Sequence, residues 1–230
     1  MRERFERKLG ELRDEILKMG SVIDEELKLA MQALANLDTN LASQVHEVDQ
    51  AVNEMRFNIE EECFALIVTQ QPAARDLRAI VAVMNMIVDL ERMGDQAKGI
   101  AKLIPHLVKA PPRSQPSELK QMGNMVGTML RQSMTAYAHK NIDLAKLVTT
   151  QDDEVDRLYA QLFTQIMQQM AETGSPDKVE SRYELLRAAR ELERFGDLAT
   201  NVAERVIYIV TGHLHETNVD PDDILDQYLD

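Results

Sequence analysis

From Leu9 to Leu34, apolar residues return every three or four positions (Leu9, Leu12, Ile16, Met19, Ile23, Leu27, Ala30, Leu34), with polar residues between them. That is the period of a helix with one buried face, and it predicts a first helix over about 4–36. Asp38, Thr39 and Asn40 then offer capping side chains for a second helix. Its apolar positions are Val45, Val48, Val52, Met55, Ile59, Phe64, Ile67 and Val68. Gln70-Gln71-Pro72 closes it, because proline disfavours helical geometry in the residue before it. Pro72 suits the first turn of a third helix, which carries Leu77, Ile80, Val83, Ile87, Leu90, Ala97 and Ile100 to about Leu107. Pro105, Pro111, Pro112 and Pro116 crowd the stretch up to Ser117, where helix is not expected to be sustained. Three more helices follow at 117–139, 142–172 and 177–212. No segment alternates with period two, so no sheet is predicted.

The order of signals repeats. Asn141-Ile142-Asp143-Leu144-Ala145 echoes Thr39-Asn40-Leu41-Ala42, and Thr173-Gly174-Ser175-Pro176 replaces the Gln-Gln-Pro turn. Short connections force antiparallel neighbours, so the expected fold is all-α, two tandem antiparallel three-helix bundles. The bundles are placed at 1–108 and 118–212, with a proline-rich linker at 109–117 and an acidic tail at 213–230. One continuous six-helix bundle is the alternative; the linker and the duplication favour two. Composition agrees, with scarce glycine (9) and proline (7), no Trp, and abundant helix-forming residues. The Met-rich fourth helix (Met122, Met125, Met129, Met134) is expected to fill gaps in the core.

The plainest repeat is in the third helix of each half. Asp89-Leu90-Glu91-Arg92-Met93-Gly94-Asp95-Gln96-Ala97 returns as Glu191-Leu192-Glu193-Arg194-Phe195-Gly196-Asp197-Leu198-Ala199, with seven of nine positions identical or exchanging one acid for another. Residues four apart share a helix face, so Glu91 with Asp95, and Glu193 with Asp197, are stacked like charges. The glycine between them costs about 1 kcal/mol relative to alanine in a helix interior. Two such unfavourable clusters ask for compensation, such as a bound cation and a close helix contact.

The second helix of each half carries its own polar pair at the same spacing, Asp49 with Asn53 and Asp152 with Asp156. Asp49 and Asp95 lie about 23 residues either side of Pro72, and Asp152 and Asp197 lie about as far from Ser175, so at a rise of 1.5 Å per residue each set lands at one height. Oxygen-bearing side chains are thus expected to face one another across adjacent helices in both halves. A hard cation is their natural counterion, and Fe, Mn, Mg, Ca or Zn would suit. Half two adds Asn201 at the next step, where half one has Gly99 with Lys98 beside it, so the second site is expected to bind cations more tightly. A solvated acidic face is the ordinary reading of one Glu-x-x-x-Asp; its recurrence, level with a second polar pair, favours a site. The five histidines are scattered, which argues against zinc hydrolases and Glu-x-x-His di-iron bundles.

Net charge is −13, which argues against nucleic acid or direct lipid binding. The lone Cys63, in an apolar context, is expected to be a buried structural thiol and suits a reducing compartment. The charged N-terminal residues do not resemble a signal peptide, and the longest apolar run, 79–84, is too short to span a membrane, so a soluble, cytoplasmic protein is expected.

Tandem three-helix halves, each with Glu-Arg-x-Gly-Asp near the middle of its third helix, together with Gln71-Pro72-Ala73-Ala74-Arg75-Asp76-Leu77-Arg78 at the first turn, closely resemble the PhoU family over nearly the whole chain. The resemblance implies a non-enzymatic regulator of phosphate uptake and phosphate-starvation signalling, at the inner face of the cell membrane. It implies an adaptor between a phosphate ABC transporter and a sensor histidine kinase, often as a homodimer. It also implies multinuclear metal clusters on Glu91, Asp95, Glu193 and Asp197 with Asp49, Asn53, Asp152 and Asp156, a set in which Gly99 departs from the fuller pattern of half two. With net charge −13, attachment to a membrane should run through a protein partner. The competing readings are a metal-dependent enzyme, for which no nucleophile or general base is evident, and a metal buffer or helical scaffold.

Overall fold

A computed structural model describes residues 2–213. The acidic tail expected after Gly212 lies almost wholly outside these residues. Six helices account for the fold: α1 (Arg2–Asn36), α2 (Thr39–Gln70), α3 (Ala74–Lys109), α4 (Ser117–His139), α5 (Ile142–Glu172) and α6 (Pro176–Thr211). There is no strand among the described residues.

Local chemistry sets most boundaries. Asp38 caps α2, its carboxylate accepting from the Asn40 N–H at 2.8 Å and the Leu41 N–H at 3.1 Å. Asn141 caps α5 at the matching point of the repeat, accepting from the Leu144 N–H at 3.0 Å. Gln71, in the left-handed region at φ 48°, ends α2 by donating its N–H to Ile67.

Two expectations about proline need correction. Pro72 is not in the first turn of α3; the helix starts at Ala74, behind an extended Ala73. Pro105 does not end α3, which continues to Lys109. The proline removes one backbone hydrogen bond, but Leu103, Ile104 and Leu107 around it are all buried, and tertiary packing of that face sustains the last turns. The true connector is 110–116, fastened where Gln115 donates to the Leu34 carbonyl at 2.6 Å.

Within each half the three helices pack pairwise, and α3 and α6 make the most extensive contact in the molecule. A second contact, α1 with α4, also joins the halves, and the buried apolar residues form one continuous core across both. Helices α2 and α5 touch only their own bundles and lie on the two outer flanks. The α1–α4 contact is reciprocal: Met134 lies over Gly20 and Met31 over Gly123, positions that exchange on moving one repeat along the chain. The methionines thus fill core gaps, as expected. Cys63 is fully buried, and burial pushes its thiol up to about 12, consistent with an inert role.

Candidate functional site

The repeated motif serves two faces of its helix. On one face, Asp89 of α3 accepts a hydrogen bond from Asn201 of α6, with Arg92 and Arg205 nearby. The reciprocal contact sets Gly99 of α3 against Glu191 of α6, where a Cβ would lie 2.9 Å from the carboxyl carbon, and Arg194 is the leading favourable charge for Glu191. The first acid, the arginine and the Asn201/Gly99 position therefore belong to the contact between halves.

Asn201 is accordingly not placed with Glu193 and Asp197. Each step of four residues turns 400°, so two steps carry a side chain about 80° around the helix and off the starting face. For the same reason Gly99 leaves no gap in the first cluster.

The other face carries the clusters. In half one, Asp49 of α2 is buried, and its carboxylate meets the Lys98 ammonium of α3 at 2.7 Å. The same ammonium donates to Asp95 at 2.8 Å. Asn53 adds its amide, donating to the Asp49 carboxylate at 3.2 Å. Burial works against the charge on Lys98, but the two carboxylates outweigh it and hold its pKa above the usual lysine value. Glu91 is half-buried, and burial followed by repulsion from Asp95 raises its pKa, partly countered by Arg56.

A third helix contributes a residue that the spacing arguments missed. Glu26 of α1 is 0% exposed, and neither carboxyl oxygen has a hydrogen-bond partner. Burial first, then Asp49, push it up to about 9, so it is an uncharged acid at neutral pH. Gly94 makes room for it, since a Cβ there would stand 3.0 Å from its Oε2. The signal in the sequence was an acid three residues after Ile23 and four before Ala30, inside the apolar stripe of α1.

Half two is built differently. Asp152 is buried beside Gly196, whose Cβ would lie 3.1 Å from Asp152 Oδ1. Asp156 is exposed, and Glu193 and Asp197 are partly buried. Burial, then Glu193 and Asp156, push Asp197 up to about 6. Glu193 is likewise raised by burial, and Arg190, 3.6 Å away, only partly compensates before Asp156 and Asp152 add repulsion. The position of Lys98 is taken by fully buried Thr200, and that of Glu26 by fully buried Met129.

The fit of a metal ion differs between the clusters. Among the described residues, no three His, Cys, Asp or Glu side chains are gathered closely enough to hold one ion. In half one the space between Asp49 and Asp95 is closed by Lys98, and a metal does not fit there. In half two, Asp152, Asp156, Glu193 and Asp197 are the oxygen-donor type that suits a hard cation, without a lysine among them.

A further surface feature lies on the first hairpin. Phe57 (58% exposed), Phe64 (52%) and Val68 (74%) share one face of α2, and exposed Leu77, Val81 and Val88 lie on α3. Because the hairpin turns near Pro72, 57 is level with 88, 64 with 81 and 68 with 77, which makes a three-rung apolar ladder. The matching positions of α5 are Ala160, Met167 and Ala171, so half two lacks the full ladder.

Known proteins give this architecture a context. The family model described as the PhoU domain matches the chain twice, at 16–104 and 119–206. A phosphate-specific transport system accessory protein PhoU homolog from Clostridium acetobutylicum is 38% identical over 218 residues, 94% of this chain and 99% of that protein. The homolog from Pseudomonas aeruginosa is 36% identical over 212 residues, 91% of this chain and 86% of that one. The crystal structure of PhoU from Pseudomonas aeruginosa superposes with a TM-score of 0.87 at 35% identity, covering 91% of this chain and all of that one. The phosphate transport system regulatory protein PhoU from Streptococcus pneumoniae gives 0.86 at 31% identity, covering 92% and 99%.

Proposed function

The chain belongs to the PhoU family, and from that premise we propose that it is an accessory regulator of phosphate transport that works by docking rather than by catalysis. It is an adaptor that binds a subunit of a phosphate ABC transporter and passes the uptake state to a sensor histidine kinase, at the cytoplasmic face of the membrane and as a homodimer. The observation that carries the docking reading is the apolar ladder on α2 and α3. Large apolar side chains in contiguous exposed rows mark protein contact surfaces. No helix among the described residues is long and apolar enough to cross a membrane. A net charge of −13 opposes adsorption to anionic headgroups, so a protein partner is the anchor. The second cluster, where Arg190 and Arg194 offset only part of the repulsion at Glu193 and Asp197, is the place where a divalent or trivalent ion (Fe, Mn, Mg or Zn) binds. The clusters offer no activated nucleophile, and the one thiol is buried, which supports a non-enzymatic role.

The test is a phosphate-repressed reporter in cells lacking this protein. Wild type restores repression, and Phe64→Glu with Val81→Glu fails to restore it while retaining helical circular dichroism. The same double variant loses pull-down by the purified transporter subunit. Full repression and undiminished pull-down by the variant would show that the ladder is not the docking surface.

A further inference from the structure

The first cluster poses a problem of charge that the structure solves internally. Asp49 is nearly inaccessible, Asp95 stands opposite it on the neighbouring helix, and Glu26 closes the inner wall with two unpartnered oxygens. Carboxylates so placed need a positive group among them. One is present. The Lys98 ammonium lies 2.7 Å from Asp49 and 2.8 Å from Asp95, with its side chain only 16% exposed. Asn53 donates to the same Asp49 oxygen, Oδ2, at 3.2 Å. In half two no lysine stands at that position: Thr200 takes it, and the nearby cations are Arg190, 3.6 Å from Glu193, and Arg194, which together offset only part of the repulsion at Glu193 and Asp197.

We infer that Lys98 is the resident cation of the first cluster, so that half one holds its carboxylates together without a metal ion. The two halves are then unequal by construction: one is permanently cross-braced by a tethered ammonium, and the other has a threonine in its place. A lysine cannot be chelated away, so half one stays assembled whatever the metal supply, and any metal response of the molecule is confined to α5 and α6. The inference rests on reading the second cluster as a cation site only for that last consequence.

Mn2+ uptake by the full chain tests it, measured by equilibrium dialysis and by the electron paramagnetic resonance of the bound ion. Wild type is expected to lose at least ten-fold in affinity on Asp197→Asn and to be unchanged by Asp95→Asn. Lys98→Thr, which copies Thr200, gains a further Mn2+ site; Lys98→Arg gains none. A second readout needs no uptake measurement: Lys98→Thr melts lower than wild type in chelator and recovers on adding Mn2+. Lys98→Thr combined with Asp95→Asn removes one charge of each sign, keeps the fold, and gains no ion. Loss of wild-type uptake in Asp95→Asn overturns the inference, as does a folded Lys98→Thr protein that takes up no Mn2+. Uptake by Lys98→Thr with none by wild type supports the role of Lys98 and refutes the second cluster as a cation site.

Discussion

The two acidic clusters share a motif, a height in their bundles and a glycine under one carboxylate, yet they resolve like-charge repulsion in opposite ways. Half one has converted its problem into an internal ion pair and an uncharged buried acid, Lys98 with Asp49 and Asp95, and Glu26. Half two keeps Asp152, Asp156, Glu193 and Asp197, with Arg190 and Arg194 relieving part of the repulsion at Glu193 and Asp197. A repeated motif therefore specifies a location, and the residues around it specify what that location does. Three substitutions outside the shared acids, at the positions of Lys98/Thr200, Glu26/Met129 and Asn53/Asp156, separate a braced cluster from a strained one.

The sharpest way to break the contrast is to remove the brace. Lys98→Met leaves Asp49 buried without its partner, and breaking such a pair costs about 3–5 kcal/mol; denaturant unfolding of metal-free protein reads it. Removing a charge from half two should act in the other direction. Asp197→Asn is expected to stabilise the metal-free chain at neutral pH by about 1 kcal/mol after allowing for solvent screening. A loss of stability in that variant would mean that half two is not strained.

The pH dependence sharpens the same point. Glu26 rises from 4.5 in the unfolded chain to about 9 in the fold, so between those values the folded state holds the extra proton. Its contribution is present below pH 4.5 and is lost as pH climbs towards 9. Glu26→Gln mimics the neutral acid and should flatten that decline by about 1 kcal/mol or more, measured as unfolding free energy from pH 5 to 9. The Asp197 window is narrower and lower, from 3.8 to about 6, and falls in the same direction. The smallest effect concerns the reciprocal α1–α4 contact. Gly123→Ala meets the movable end of Met31, whereas Gly20→Ala meets Met134 nearer its root. Gly123→Ala should be close to neutral in melting experiments, and Gly20→Ala should cost about 1 kcal/mol more.

Much of this was legible in the chain. The six helices, the caps Asp38 and Asn141, and the shared height of Asp49 with Asp95 follow from local chemistry and a fixed rise per residue. Pro105 misled because its local penalty was visible while the burial of Leu103, Ile104 and Leu107 was not. Asn201 misled because a four-residue step is not a whole turn, and the error doubles over two steps. Lys98 stands beside Gly99 in the sequence, but its reach to Asp49 depends on the path of a long, flexible side chain. Glu26 is masked by the apolar stripe of α1, whose period is complete without it, so one acid inside the stripe leaves the helix pattern unchanged. The tight seating of α3 on α6 is not legible in the chain because the spacing that stacks Glu91 on Asp95 gives no hint of packing on the other face.

That seating has a mechanical consequence. With α2 and α5 on opposite flanks and the two motif helices back to back between them, the halves are not beads on a string but the jaws of a caliper. Any two partners gripped at once, one on each flank, are held at a spacing set by packed side chains instead of by a chain of variable reach. Simultaneous grip then depends on matching that gauge: partners at the right separation gain the advantage of a joined pair of contacts, and partners at the wrong one gain nothing.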